Sequence, residues 1–103
     1  MICHSTDSTF KHDLSNEGLT LVNFWASWCS PCRKFASVLE DYDASRRGDV
    51  RIVKINVDEN EETASLFGVM SLPTTILFKN GKPVDKQIGY MPKDVLAGWV
   101  AAY

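Results

Sequence analysis

The stretch N-F-W-A-S-W-C-S-P-C, Asn23 to Cys32, sets two cysteines three positions apart behind an apolar, aromatic run. Its first half belongs to Leu19–Ala26, a nearly continuous apolar segment of strand length, which suits a central strand covered on both faces. Downstream, Phe35, Val38, Leu39 and Tyr42 recur at i, i+3, i+4 and i+7. That spacing predicts a helix over 31–45, with Gly48 closing the segment. The two thiols therefore fall where a strand turns into a helix.

Working outward, residues 1–7 form a candidate first strand, and residues 8–16 a short helix with Asp7 or Ser8 as cap, Phe10 and Leu14 on one face and Gly18 as the stop. V-R-I-V-K-I-N-V (Val50 to Val57) is rich in β-branched residues and reads as a strand. The acids of D-E-N-E-E gather at the start of a helix that ends near Phe67-Gly68, where carboxylates favour the positive end of the helix dipole. Residues 74–78, a turn over 79–82 and residues 83–89 make a hairpin, for which Asn80-Gly81 is the strongest local signal. The last helix spans 92–102, with Val95, Leu96, Trp99 and Val100 on one face and Trp99 read as core. The order βαβαβαββα implies an α/β sandwich with a mixed sheet, in one domain over 1–103.

The net charge is −2, and the basic pair Arg46-Arg47 is read as a solvated turn. Such a surface argues against nucleic acid as a partner. No apolar run approaches the ~20 residues a bilayer span requires. The opening M-I-C-H-S-T-D lacks the basic start and apolar stretch of a secretory signal, so the expected setting is cytoplasmic.

In a reducing compartment, thiols at this spacing serve metals or electrons more often than structural bridges. A structural zinc commonly needs two separated ligand pairs. Beyond the single C-x-x-C, the chain offers only Cys3 beside His4, and His12, without the usual ligand spacing, and no metal ligand is assigned. For electrons the fit is better. In the first turn of a helix, i and i+3 side chains stand about 5–6 Å apart, near the window a disulfide needs. Pro31 is tolerated there because its missing N–H costs nothing. Cys29 then meets the unpaired N–H groups of the helix start. A thiol pKa depressed to near neutrality, worth about 2 kcal/mol, takes the thiolate fraction at pH 7 from a few per cent to about half. On this reading Cys29 is the nucleophile and Cys32 resolves the mixed disulfide. The competing reading is two cysteines adjacent by chance on a core helix.

Taken together, F-W-A-S-W-C-S-P-C (24–32), V-K-I-N-V-D (53–58), S-L-P-T (71–74), L-F-K-N-G (77–81) and I-G-Y (88–90) resemble the thioredoxin family, over nearly the whole chain. The resemblance implies a five-stranded mixed β-sheet sandwiched by four α-helices. It also implies reduction of protein disulfides, with no bound cofactor and electrons returned from NADPH by a flavin-dependent thioredoxin reductase. By position, Cys29 and Cys32 correspond to the redox pair and Trp28 flanks them. Pro73 matches a proline preceded by a cis peptide, which would leave the Leu72 backbone free to pair with a substrate strand. Gly89, with Ile88 and Tyr90, matches the same apolar contact surface. Trp25 reads as packing.

Two positions depart from the family pattern. Ser30 stands where the family normally has glycine, and Asn23 where it carries a buried aspartate whose neighbour on the next strand is matched by Lys54. Asn23 cannot take a proton from Cys32, so the resolving step should slow. Losing a carboxylate near the thiolates should also lower their pKa values. A Ser30 hydroxyl bonded to the Cys29 sulfur would act in the same direction. Stabilising the reduced form makes the pair more oxidising, by about 30 mV per 1.4 kcal/mol. Three functions follow: a monomeric thioredoxin reducing protein disulfides, a specialised and more oxidising relative, or a binding subunit that uses the apolar surface without turnover. Cys3 reads as a small buried hydrophobe, or else as an accessible thiol near the terminus.

Overall fold

The computed structural model describes residues 2–46 and 49–103. Along the chain run β1 (Ile2–Ser5), α1 (Phe10–Asp13), β2 (Leu19–Trp25), α2 (Ser30–Arg46), β3 (Val50–Asn56), α3 (Glu61–Leu66), β4 (Thr74–Lys79), β5 (Lys82–Ile88) and α4 (Lys93–Ala101). One sheet holds all five strands in the order β1-β3-β2-β4-β5, which puts β2 at the centre. β1, β3 and β2 are parallel, β4 is antiparallel to β2, and β5 is antiparallel to β4. The sheet is therefore mixed and lies between four helices, as the order of elements predicts.

The continuous apolar run of β2 is explained by burial on both sides. Leu21, with Ile52 and Leu77, packs against Phe35, Leu39 and Tyr42 of α2 and Leu96 and Val100 of α4. Val22 and Phe24, with Val53, Ile55, Ile76 and Phe78, face Phe10 of α1 and Ala64 of α3. The Phe67 ring wedges edge-on between Phe10 and Phe78, 5.6 Å from each. Full burial of a Leu or Phe is worth about 1.5–3 kcal/mol, so these two clusters dominate the fold's stabilisation. The two-residue period of strands then puts Asn23 on the α2 face, level with Lys54 on β3 and Thr75 on β4.

The hairpin forms at Asn80-Gly81, both with positive φ (53° and 83°), as a two-residue turn of the primed kind requires. Asn80 has a second duty. Its Oδ1 accepts from the Gly18 N–H and its own N–H donates to the Gly18 carbonyl, both at 2.8 Å. Gly18 thus ties the start of β2 to the hairpin as well as ending the segment before it. The ladder shifts between Leu77 and Phe78, and Pro83 sits opposite Phe78 at this irregularity on the outermost strand, where its missing N–H is tolerated.

The structure departs from expectation in four places. β1 stops at Ser5, short of residue 7. α1 is a single turn, Phe10–Asp13, because neither expected cap serves it. The Asp7 carboxylate instead reaches α3, accepting from the Thr63 N–H (2.8 Å), the Thr63 hydroxyl (2.7 Å) and the Glu62 N–H (3.2 Å). On α4, Val95 is exposed and only Leu96 and Val100 are fully inward. Trp99 is half-buried rather than core, since its indole N–H turns outward to Asp85 (2.8 Å). Met1, Arg47 and Gly48, to which the first strand, the basic turn and the α2 stop were assigned, lie outside the described residues. Arg46 ends α2 and pairs with Asp49 at 3.7 Å.

Candidate active site

β2 ends at Trp25, and Ala26, Ser27 and Trp28 carry the chain to Cys29, immediately before the first residue of α2. Cys29 and Cys32 are joined in a disulfide with their Cα atoms 5.2 Å apart. The turn is held from several sides. Cys29 N–H donates to the Ala26 carbonyl (3.2 Å), and the Arg33 guanidinium clasps the Ser27 carbonyl (2.9 Å). Cys32 N–H donates to the Cys29 sulfur at 3.3 Å. One unpaired amide of the helix start is thus aimed at the sulfur that would carry negative charge on reduction. The Ser30 hydroxyl makes no such bond among the described residues; Ser30 and Pro31 lie exposed in the first turn of α2.

Cys29 and Cys32 are buried alike, at 5% and 4% exposure, so Cys32 is hardly deeper than its partner. Position, rather than exposure, distinguishes them: Cys29 precedes the helix and Cys32 lies within it. Both pack with Ala26 against Trp25, Val57 and Leu72.

Two residues before Trp25 on β2, Asn23 is buried and its Nδ2 donates to the Thr75 hydroxyl at a long 3.4 Å. Lys54, its ladder neighbour, is half-buried with Nζ 5.2 Å from the Trp25 ring centre. Burial pushes the Lys54 ammonium below the usual lysine range, partly opposed by the Glu40 carboxylate. The Trp25 indole N–H is buried without a partner among the described residues, so Trp25 both packs on the disulfide and faces a cation.

The rim is apolar. Trp28 is 67% exposed, its ring fixed by an indole N–H bond to Asp58 (2.9 Å). Leu72, half-buried against the disulfide, is joined by a cis peptide bond to Pro73, which is buried rather than exposed as a contact residue would be. The Pro73 carbonyl accepts from Gly89 N–H (2.8 Å), which brings Ile88, Gly89 (φ 101°) and Tyr90 to the same edge. Ile88 is exposed, and the Tyr90 ring rests edge-on to Phe35 (6.1 Å) with Lys34 Nζ 4.8 Å from its centre. Among the described residues, the Leu72 N–H and carbonyl make no hydrogen bond within the chain.

The sequence reading missed Asp58 and Met70. The alternation of apolar and polar residues in 53–58 offers no sign that Asp58 would turn to Trp28, and Met70 carries no motif, yet it is the most exposed large apolar residue of those described. Cys3 is half-buried and not in a disulfide; burial first, then the Asp13 carboxylate, pushes its thiol up, against the Arg51 guanidinium. A cavity of about 360 Å³ lies between α1 and α3, lined by Asp7, Phe10, Lys11, Glu62 and Leu66. None of its lining residues belongs to the disulfide turn or its rim. Among the described residues, no three His, Cys, Asp or Glu side chains gather into a set that could hold a metal, and no helix is long and apolar enough to cross a membrane.

Residues 1–102 match the thioredoxin family model. The chain belongs to the thioredoxin family. It is 49% identical over 96 residues to a thioredoxin of Alicyclobacillus acidocaldarius subsp. acidocaldarius, covering 93% of this chain and 91% of that one. A thioredoxin of Listeria monocytogenes serovar 1/2a is 50% identical over 96 residues (93% and 92% covered), and one of Bacillus subtilis strain 168 is 46% identical over 95 (92% and 90%). The mixed sheet and four helices are accordingly a thioredoxin-like fold, and the Cys29–Cys32 disulfide within it is consistent with thiol-disulfide oxidoreductase activity.

Proposed function

We propose that this protein reduces disulfides in other proteins as a single-domain, monomeric thioredoxin of the cytoplasm. The observation that carries the reading is the Cys29–Cys32 pair at the start of a 17-residue helix, with a backbone N–H directed at the Cys29 sulfur. In the reduced protein, the Cys29 thiolate attacks one sulfur of a substrate disulfide. A Cys29–substrate bond forms, the substrate S–S bond breaks, and its other sulfur leaves as a thiolate. Cys32 then loses its proton and attacks the Cys29 sulfur. The intramolecular disulfide closes, the second substrate thiolate departs, and two electrons have passed to the substrate.

The rim supports a protein rather than a small molecule as substrate. The unpaired Leu72 backbone offers an extended peptide a donor and an acceptor beside the disulfide. Trp28, Ile88 and Tyr90 supply exposed apolar contact around it, with Gly89 between the last two and Pro73 buried beneath. Electrons would return from NADPH through a flavin-dependent thioredoxin reductase docking on the same face; the chain itself holds no cofactor in this scheme.

One observation favours a more oxidising variant of this function. Asn23 is buried and neutral, while Lys54 beside it carries a partly desolvated positive charge. With no carboxylate at position 23 to repel a thiolate, the reduced form of the pair is favoured and its potential rises. Substituting Cys32→Ser tests the function. Cys29 should then stall as mixed disulfides, and proteins released from them by dithiothreitol should carry the matching cysteines. A variant that captures nothing, together with a wild type that fails to reduce any protein disulfide, would leave a binding role without turnover.

A further inference from the structure

We infer that Met70 is a specificity-determining contact for polypeptide substrates, reading apolar side chains that flank the substrate cysteine; this rests on the disulfide-reductase reading above. Met70 is 94% exposed. Such a side chain contributes almost nothing to folding, since nearly all its apolar surface stays in water. Its exposure is not the looseness of an open loop, because the segment is fastened on both sides. Val69 and Leu72 are half-buried against the α1–α3 side of the core, Val69 N–H donates to the Ala64 carbonyl (3.0 Å), and the Thr74 hydroxyl donates to the Ser71 carbonyl (2.6 Å). Gly68 (φ 63°) supplies the left-handed residue that turns the chain out of α3 into this segment. Met70 and Ser71 thus form a short pinned knuckle with a thioether at its tip.

The knuckle runs directly into Leu72, the residue of this segment that packs on the disulfide. Leu72 packs against the Cys29–Cys32 cluster, and two residues of chain span at most about 7 Å, so Met70 begins within that distance of Leu72. A peptide strand paired with the free Leu72 backbone must pass beside it. Methionine is flexible and polarisable and adapts to differently shaped apolar partners, which suits a contact shared by many substrates. Met70 lines neither the cavity between α1 and α3 nor the one bounded by Leu19, Tyr42 and Val100.

The test uses two synthetic peptides, each a disulfide-linked homodimer with leucine or glutamate on both sides of the cysteine, and bis(2-hydroxyethyl) disulfide as a substrate too small to reach Met70. Dithiothreitol regenerates the enzyme in every arm. Wild type should favour the leucine peptide. Met70→Gln should raise KM for it roughly three- to tenfold with kcat held, as expected for losing part of one buried apolar side chain. Met70→Leu should keep the preference, and both variants should reduce the small disulfide as wild type does. An unchanged KM in Met70→Gln, an equal loss in Met70→Leu, or a parallel loss with the small disulfide would overturn the inference. A wild type inactive on all three substrates would instead overturn the parent reading, and this one with it.

Discussion

Asn23 on β2 stands level with Lys54 on β3, both on the sheet face that α2 covers. The pair has no carboxylate at position 23: an amide that cannot ionise sits beside an ammonium pushed down by burial, with Glu40 partly opposing that shift. Substituting Asn23→Asp should cost about 1–3 kcal/mol of stability at pH 7, the usual range for a poorly paired buried polar group, with Lys54 limiting the loss. Burial would raise the new carboxyl's pKa above its unfolded value. The penalty is then full well above the raised pKa, shrinks as pH falls through it and disappears only near the unfolded value, ~4. Urea titrations of parent and variant should therefore converge as pH is lowered from 7 to about 4. The variant's reduction potential should also fall, and its turnover rise. A gap that stays constant with pH, or an unmoved potential, would show that the site is solvated.

Trp28 is exposed yet fixed by Asp58, an arrangement that spends order on a side chain the core does not need. Trp28→Ala should leave the unfolding midpoint almost unchanged, within about 0.5 kcal/mol, as exposed substitutions do. It should raise KM for protein disulfides roughly tenfold, the scale of an aromatic contact at a binding surface. Asp58→Ala should weaken the same KM by less, because the ring remains but is no longer aimed. Steady-state kinetics on a protein and a small disulfide separate the cases; equal losses on both substrates would refute a docking role.

The Asp7 carboxylate holds the start of α3 from 56 residues away. Hydrogen bonds from Thr63 chiefly, and from the Glu62 amide, keep its carboxyl below the usual carboxylate range. A depressed folded pKa gives stability that is present above the unfolded value, ~4, and lost as pH falls through the folded one. Asp7→Ala should lower Tm at neutral pH, and the difference from wild type should shrink steadily below about pH 4. Asp7→Asn, which keeps an acceptor oxygen, should recover part of the loss. A Tm difference that persists undiminished in acid would mean the carboxylate's charge plays no part.

What the amino-acid pattern revealed and what it hid divide along one line. β2, β3 and α2 were legible because Leu21, Val22, Phe35 and Leu39 obey the strand and helix periods that burial imposes. The hairpin was legible because Asn80-Gly81 states its own backbone requirement. Cys29, Cys32 and the Leu72-Pro73 segment were marked by spacing and by a family pattern. Asp7, Asp58 and Asp85 were not, since a single carboxylate bonding to a residue distant along the chain leaves no period to read. The same gap explains α1, whose expected cap was already engaged elsewhere. Met70 escaped because exposure at a pinned knuckle depends on neighbours that hold Val69 and Leu72, not on the methionine itself.

Asp85 on β5 accepts from the Trp99 indole N–H (2.8 Å), from the Tyr103 hydroxyl and from the Lys86 N–H (2.8 Å), while Lys79 Nζ holds the Tyr103 carbonyl (2.9 Å). One carboxylate therefore straps α4 and the chain's last residue to an edge strand that buries little else. Tyr103 first, then Trp99, hold the Asp85 carboxyl below its ordinary range, and the same bond pushes the Tyr103 phenol up. The two signs differ. The Asp85 contribution is complete above ~4 and fades as acid titrates it; the Tyr103 contribution is complete below ~10 and fades as base removes its proton. Asp85→Ala should thus flatten both limbs of the stability–pH curve, whereas Tyr103→Phe should flatten the alkaline limb and keep part of the acid one through Trp99. Denaturation midpoints measured from pH 3 to 11 decide it. If both variants track wild type in parallel, the strap holds geometry without holding stability.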